Sequence, residues 1–266
     1  MKRPLAALVA IALPLLAAAQ APAAGRTQLT WYGHAAFVLK TPRGTVLAID
    51  PWFANPANEE GKAAPPAHVD FILVSHGHAD HVGDAVALAQ RTKARFVGAF
   101  ELAQALAAAG YPADQATNAT AGNMGGTIDL TDEVSVTLVP AVHSSGFKAG
   151  DGPPQYAGNP VGFIVRVKGG PTFYHTGDTA PFSDIQYPAR RWKVDVMLAC
   201  IGGHFTMDPT GAALMASWVQ PKEIVPMHFG TFPLLRGTPA ELKKALAARG
   251  VEARVTELKV GETRAF

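Results

Sequence analysis

The stretch Val69-Asp70-Phe71-Ile72-Leu73-Val74-Ser75-His76-Gly77-His78-Ala79-Asp80-His81 decides how this chain is read. Its first part, Val69 to Ser75, follows the Pro-rich segment around Pro65 and Pro66 and has the apolar run of a buried strand. Four metal-binding side chains then follow within six residues, His76 to His81. Side chains two apart share a side only in extended or turn backbone, so His76 and His78 can converge on one ion while Asp80 and His81 turn toward a second. Gly77 and Ala79 leave room for that turn. Imidazoles packed this densely need a partner for every nitrogen, which a metal supplies and an apolar interior does not.

Working outward, short β-like runs alternate with helical stretches. Residues 28–32, 36–40 and 46–50 read as an antiparallel meander, with Pro42-Arg43-Gly44 as a turn. Residues 54–67 and 144–159 read as loops that frame a cleft, with Trp52, Phe53, Phe147 and Tyr156 as apolar walls. Helices are expected over 83–91 and 100–109, and further strands over 126–130, 134–140, 161–168, 172–175, 194–199 and 223–226. Asp208-Pro209 and Thr238-Pro239-Ala240-Glu241 read as helix starts, each a capping side chain with Pro in the first turn, the second completed by a capping-box Glu. The order suggests one domain over 24–266, made of two β-rich halves with helices attached.

A two-ion site needs more ligands than the first motif holds. His143, Asp178 and His228 each follow an expected strand, and strand-end residues from one sheet edge converge on one cleft. His34 and His204 are the further catalytic candidates, as substrate contacts or proton donors, or else as groups orienting a metal-binding carboxylate or imidazole. His175 reads as a support to the ligands and His68 as surface; Thr179 and Thr231 read as strand-end caps.

Composition narrows the partners. With 48% hydrophobic and 17% charged residues the chain is not disordered, and a net charge of +2 without a basic block gives nucleic acid nothing to bind. The expected partner is a small-molecule substrate. Residues 1–23 run from Met1-Lys2-Arg3 through an apolar segment to small residues around Ala21-Pro22-Ala23, the three parts of a signal peptide. A periplasmic or secreted protein without stable membrane insertion after cleavage is expected. The single cysteine, Cys200, forms no intramolecular disulfide and reads as a small buried hydrophobe.

The run His76-Gly77-His78-Ala79-Asp80-His81 resembles the HxHxDH signature of the metallo-β-lactamase superfamily, and Tyr174-His175-Thr176-Gly177-Asp178-Thr179 resembles its Gly-Asp-Thr segment. Trp31 to Phe37, Ile201 to Met207 and Pro226 to Phe232 are similar to a branch of metal-dependent hydrolases related to ascorbate-6-phosphate lactonase. One departure lies at Gly203 and Asp208, where an Asp and a Gly are commoner in that branch.

The resemblance implies an α/β fold, a four-layer αββα sandwich. It also implies a ligand split: His76, His78 and His143 on one ion, Asp80, His81 and His228 on the other, Asp178 bridging. Two divalent ions are the expected cofactors, zinc first and manganese second, with an activated water cleaving a small ester, lactone, amide or phosphodiester. The competing readings are a β-lactamase, an iron-dependent redox enzyme and a non-enzymatic metal carrier. The bridging Asp weighs against the first and third.

Overall fold

Short alternating strands open the chain as the meander expected of them: β1 (Gln28–Trp31), β2 (Phe37–Lys40) and β3 (Val46–Ile49) pair antiparallel in sequence, with Leu29 opposite Leu39 and Leu39 opposite Leu47. The computed structural model describes residues 25–266, so the signal-like segment 1–23 lies outside the described residues. Among those described, no helix is long and apolar enough to cross a membrane.

From β3 onward the pairing turns parallel. β4 (Phe71–Val74) is buried throughout, and it leads into α1 (Ala79–Val82), α2 (Ala85–Thr92), β5 (Arg95–Ala99), α3 (Phe100–Ala108) and β6 (Ala121–Gly122). Period-two burial sorts this sheet's side chains. Leu29, Trp31, Phe37, Leu39, Leu47, Ile49, Phe71 and Leu73 join the core shared with the second sheet. Val38, Val46, Ala48, Ile72, Val74 and Phe96 pack instead with Leu88 of α2 and Leu102 and Leu106 of α3.

The second half repeats the plan. β7 (Thr127–Asp129), β8 (Val134–Pro140), β11 (Val161–Val167) and β12 (Thr172–His175) are antiparallel neighbours, while β9 (Gly146–Phe147) and β10 (Gln155–Tyr156) form a small hairpin between them in the chain. Parallel pairing then carries the sheet through β13 (Val196–Cys200), β14 (Glu223–Met227) and β15 (Arg254–Val255), with α4 (Gln186–Trp192), α5 (Pro209–Val219) and α6 (Pro239–Ala248) interspersed. The last strand, β16 (Thr263–Ala265), crosses back to pair with β1. Two seven-stranded sheets thus face each other across one core with helices outside, the αββα sandwich expected.

Several elements depart from the sequence reading. The loop over 144–159 contains the β9–β10 hairpin, and β5 sits in the gap left between two expected helices. The helix expected over 83–91 is α2, which starts at Ala85; the single turn α1 before it was not expected, and Gly83 separates the two with φ +42°, where a Cβ would lie 2.5 Å from the Trp52 Cα. The sequence pattern hid α4 because Pro188 interrupts it, although a Pro in the first turn removes no helical hydrogen bond. Asp208 and Thr238 cap α5 and α6 as expected, the latter with a complete capping box.

Candidate metal centre

Sheet direction brings the chemistry together. β1, β3 and β4 of the first sheet run one way, as do β8, β12, β13 and β14 of the second. The residues following these strands therefore collect at one edge of the sandwich, where His34, Asp50, His76, His143, Asp178 and His228 all lie.

The first motif acts through a change of backbone. β4 ends at Val74 and the chain bends over residues 76–78, with His78 itself in extended backbone, which brings His76 Nε2 2.8 Å from His78 Nδ1. His78 then caps the single turn α1, whose carbonyl acceptor draws the His81 and Val82 N–H groups at 3.1 and 2.9 Å. That turn swings Asp80 and His81 away from the first pair. His143, after β8, sets its ring edge-on to His76 and His78 with centroids 5.1 Å away in each case.

Asp178 joins the two groups. Its Oδ2 lies 3.2 Å from His81 Nε2, 3.0 Å from His228 Nε2 and 3.7 Å from His143 Nε2, so one oxygen reaches toward both sides. Gly177 allows the approach: at φ +57° a Cβ would meet Ser75 Cβ at 3.0 Å and the Val161 carbonyl at 2.7 Å. Ligand atoms fall into three sets, each with members within 4.8 Å of one another: His76, His78 and His143; His34, Asp80, His81 and His228; and His76, His81 and Asp178. All seven expected ligands converge, and His34 joins them.

The donors are also short of partners. His81 Nε2, both ring nitrogens of His228 and Asp178 Oδ1 are buried without a hydrogen bond. Buried polar atoms are ordinarily satisfied, and imidazole nitrogens clustered with carboxylates are the donors that zinc-type ions take. The residues present fit a pair of ions.

Electrostatics agree with that fit. Burial opposes charge at His81 and His228, yet Asp178 raises both, His81 well above the usual histidine range and His228 to about 9. Burial likewise opposes the carboxylate at Asp178, but His81 and His228 hold it well below the usual range. His76, His78 and His143 are pushed down by burial, which leaves their rings neutral and able to donate a lone pair. A group raised on folding, such as His228, adds stability that is complete below its unfolded value of 6.5 and is lost as pH rises through about 9. The chelator-stripped chain is therefore expected to lose melting temperature across that window, and a flat or rising profile would contradict the His228–Asp178 pairing.

Two residues to which the sequence reading gave no part in the centre hold the candidate ligands. Asp50 directly follows β3, is fully buried, and accepts hydrogen bonds from Ser75 N–H, Ser75 O–H and His81 Nδ1–H, each at 2.7 Å. Its φ of +44° is strained for a non-glycine residue, as are His34 at +49° and His228 at +54°. The available signal was a carboxylate closing an apolar strand at Ala48-Ile49-Asp50, which the sequence reading took only as the last residue of the strand over 46–50. Thr231, read as a cap, places its hydroxyl 2.9 Å from His34 Nδ1.

Other candidates are sorted by position. His204 is exposed, in a left-handed turn, with its ring edge-on to Phe205; among the described contacts it makes no hydrogen bond to the cluster. His175 is buried and donates from Nε2 to the Ala35 carbonyl, and His68 pairs with Asp70 at the surface. Thr179 accepts from Val142 N–H and donates to the Ala180 carbonyl, as a cap does.

The cleft walls are partly those expected. Gly77, His78, Val82, Phe147, Lys148 and Pro154 line a cavity of about 460 Å³, so residues 144–159 do frame it. Residues 54–67 do not line that cavity, and Phe53 is a correction, because it is buried edge-on against Tyr32. Trp52 stacks instead with Phe232, which the sequence reading missed, and both turn toward the His34 ring.

Comparison with known proteins follows the same lines. Residues 28–228 match the model of the family described as Beta-lactamase superfamily domain. A UPF0173 metal-dependent hydrolase of Anaeromyxobacter sp. (strain K) is 60% identical over 237 residues, 88% of this chain and 86% of the relative. Another from Thermodesulfovibrio yellowstonii is 46% identical over 245 residues, 90% of this chain and 92% of the relative. Among solved structures, Igni18, a metallo hydrolase from Ignicoccus hospitalis, superposes with a TM-score of 0.77 at 33% identity, covering 90% of this chain and 98% of that one.

Proposed function

This chain belongs to the β-lactamase superfamily as a metal-dependent hydrolase, and on that premise we propose that it holds two divalent ions and cleaves a small ester, lactone, amide or phosphodiester with an activated water. The observation that carries the two-ion reading is Asp178 Oδ2, which lies within 3.7 Å of ligand nitrogens from both groups, His143 on one side and His81 and His228 on the other. Zinc is the first choice and manganese the second, supported by the predominance of imidazole among the donors.

When bound, such ions lower the pKa of water from about 15.7 toward about 7 and polarise a carbonyl or phosphoryl oxygen. The chain's own residues supply the geometry. His76, His78 and His143 hold one side of the centre, Asp80, His81 and His228 the other, and Asp178 fixes their separation. Asp50 orients His81 by accepting its Nδ1 proton, so that Nε2 presents a lone pair inward. Trp52 and Phe232 give one margin an apolar, water-poor surface, and His78 and Phe147 open onto the cavity where a substrate of modest size fits. Residues 1–23 support export as part of the same proposal.

Elemental analysis of the natively purified chain, with ester, lactone and phosphodiester probes, tests this. About two ions per chain, removed by a chelator together with turnover of one probe, are expected. Turnover that persists in the stripped chain would end the proposal.

A further inference from the structure

The turn between β1 and β2 carries a histidine outside the strand-end trios just described. His34 is fully buried against the centre. Its Nε2 lies 3.1 Å from Asp80 Oδ2 and its Nδ1 lies 2.9 Å from Thr231 Oγ1. A carboxylate only accepts, so Nε2 carries the ring proton and donates it to Asp80; in the neutral ring, Nδ1 then accepts from the Thr231 hydroxyl. Both ring nitrogens are thereby committed, whereas His81 Nε2 and both nitrogens of His228 are buried without a hydrogen bond.

The same residue also reaches the other half of the molecule. Its carbonyl accepts the His228 N–H at 3.0 Å and the Trp31 Nε1–H at 3.1 Å. His34 and His228 both adopt left-handed backbone, at φ 49° and 54°, where the two turns meet. Their rings lie 3.9 Å apart between centroids. One residue therefore touches two ligands that come from opposite halves of the chain, Asp80 by its side chain and His228 by its backbone.

We infer that His34 is the positioning residue of the second ion's site: its Nε2–H bond fixes the Asp80 carboxylate, its carbonyl fixes the His228 turn, and Thr231 locks the ring's tautomer. This rests on the two-ion reading above. It assigns His34 no contact with substrate and no proton transfer.

The test compares the natively purified full chain with His34→Ala and His34→Gln, counting ions per chain and following their loss to a competing chelator. The wild type is expected to hold two ions. His34→Ala is expected to lose one of them about 10–100-fold more readily, as when a ligand's hydrogen-bond partner is removed, while keeping the other. His34→Gln, whose amide N–H extends to the place of Nε2, is expected to return to within a few-fold of wild type. A His34→Ala chain that keeps both ions as firmly as wild type overturns the inference. Glutamine as defective as alanine also overturns it, because the ring would then act as a direct ligand. Should His34→Ala fail to fold, Thr231→Val gives the comparison: faster loss of one ion supports the locked tautomer and unchanged loss refutes it. A wild-type chain with fewer than two ions fails at the earlier step, and the two-ion reading falls before any variant is compared.

Discussion

Asp178→Ala is expected to leave a chain that cannot retain two ions and has lost turnover on every probe the wild type cleaves. Asp178 is 3% exposed, and its Oδ2 faces His81, His228 and His143 at 3.2, 3.0 and 3.7 Å. Removing it deletes the carboxylate oxygen that faces both groups and leaves His81 and His228 buried with their strongest counter-charge gone. Even without ions, breaking a buried charge pair by removing one partner costs about 3–5 kcal/mol. The variant should therefore melt at lower temperature as well as bind less metal. Asp178→Asn separates the two effects: it preserves shape and some hydrogen bonding but removes the charge, so the melting temperature should recover more than the metal content does. Elemental analysis and thermal denaturation of both variants check this. Two retained ions in the alanine chain would show that Asp178 bridges nothing.

Asp50→Asn should damage the centre without touching a ligand. The native carboxylate accepts all three of its hydrogen bonds, including the one from His81 Nδ1–H. An amide offers one carbonyl oxygen and one NH2 group. If the oxygen stays on Ser75, the NH2 faces His81 and makes Nδ1 an acceptor, which moves the ring proton to Nε2, the atom that should donate to the ion. Metal affinity at the Asp80, His81, His228 side is expected to fall by about 10–100-fold, the usual range for a lost orienting partner. Competition with a chelator of known affinity measures the loss, and nitrogen NMR of the His81 ring reports the tautomer. Unchanged affinity with the ring proton still on Nδ1 would show that Asp50 merely fills space.

The seven candidate ligands that the structure brings together were legible because each kind of signal was local. The density of His76, His78, Asp80 and His81 stands out within six residues, and His143, Asp178 and His228 each follow a strand that its own apolar pattern announces. Asp50 lacked any such neighbour: a lone carboxylate at the end of the expected strand 46–50 carries no ligand signal, and its partners are Ser75 and His81, 25 and 31 residues on. His34 and His204 looked alike in the sequence, each a histidine in a Gly-His turn after a buried strand, yet one is buried against Asp80 and the other is exposed.

Consecutive residues were enough for most of the longer strands, the caps of α5 and α6 and the candidate donors, because hydrophobic period, turn residues and ligand density are properties of a few neighbouring positions. Which candidate donors lie within reach of one another came from the tertiary structure. His34 meets Thr231 across 197 residues of chain, and the Asp178 carboxylate reaches both groups only because two sheets align their strand ends at one edge. Spacing along a chain carries no information about distance through the core, and the pairing of strands converts one into the other.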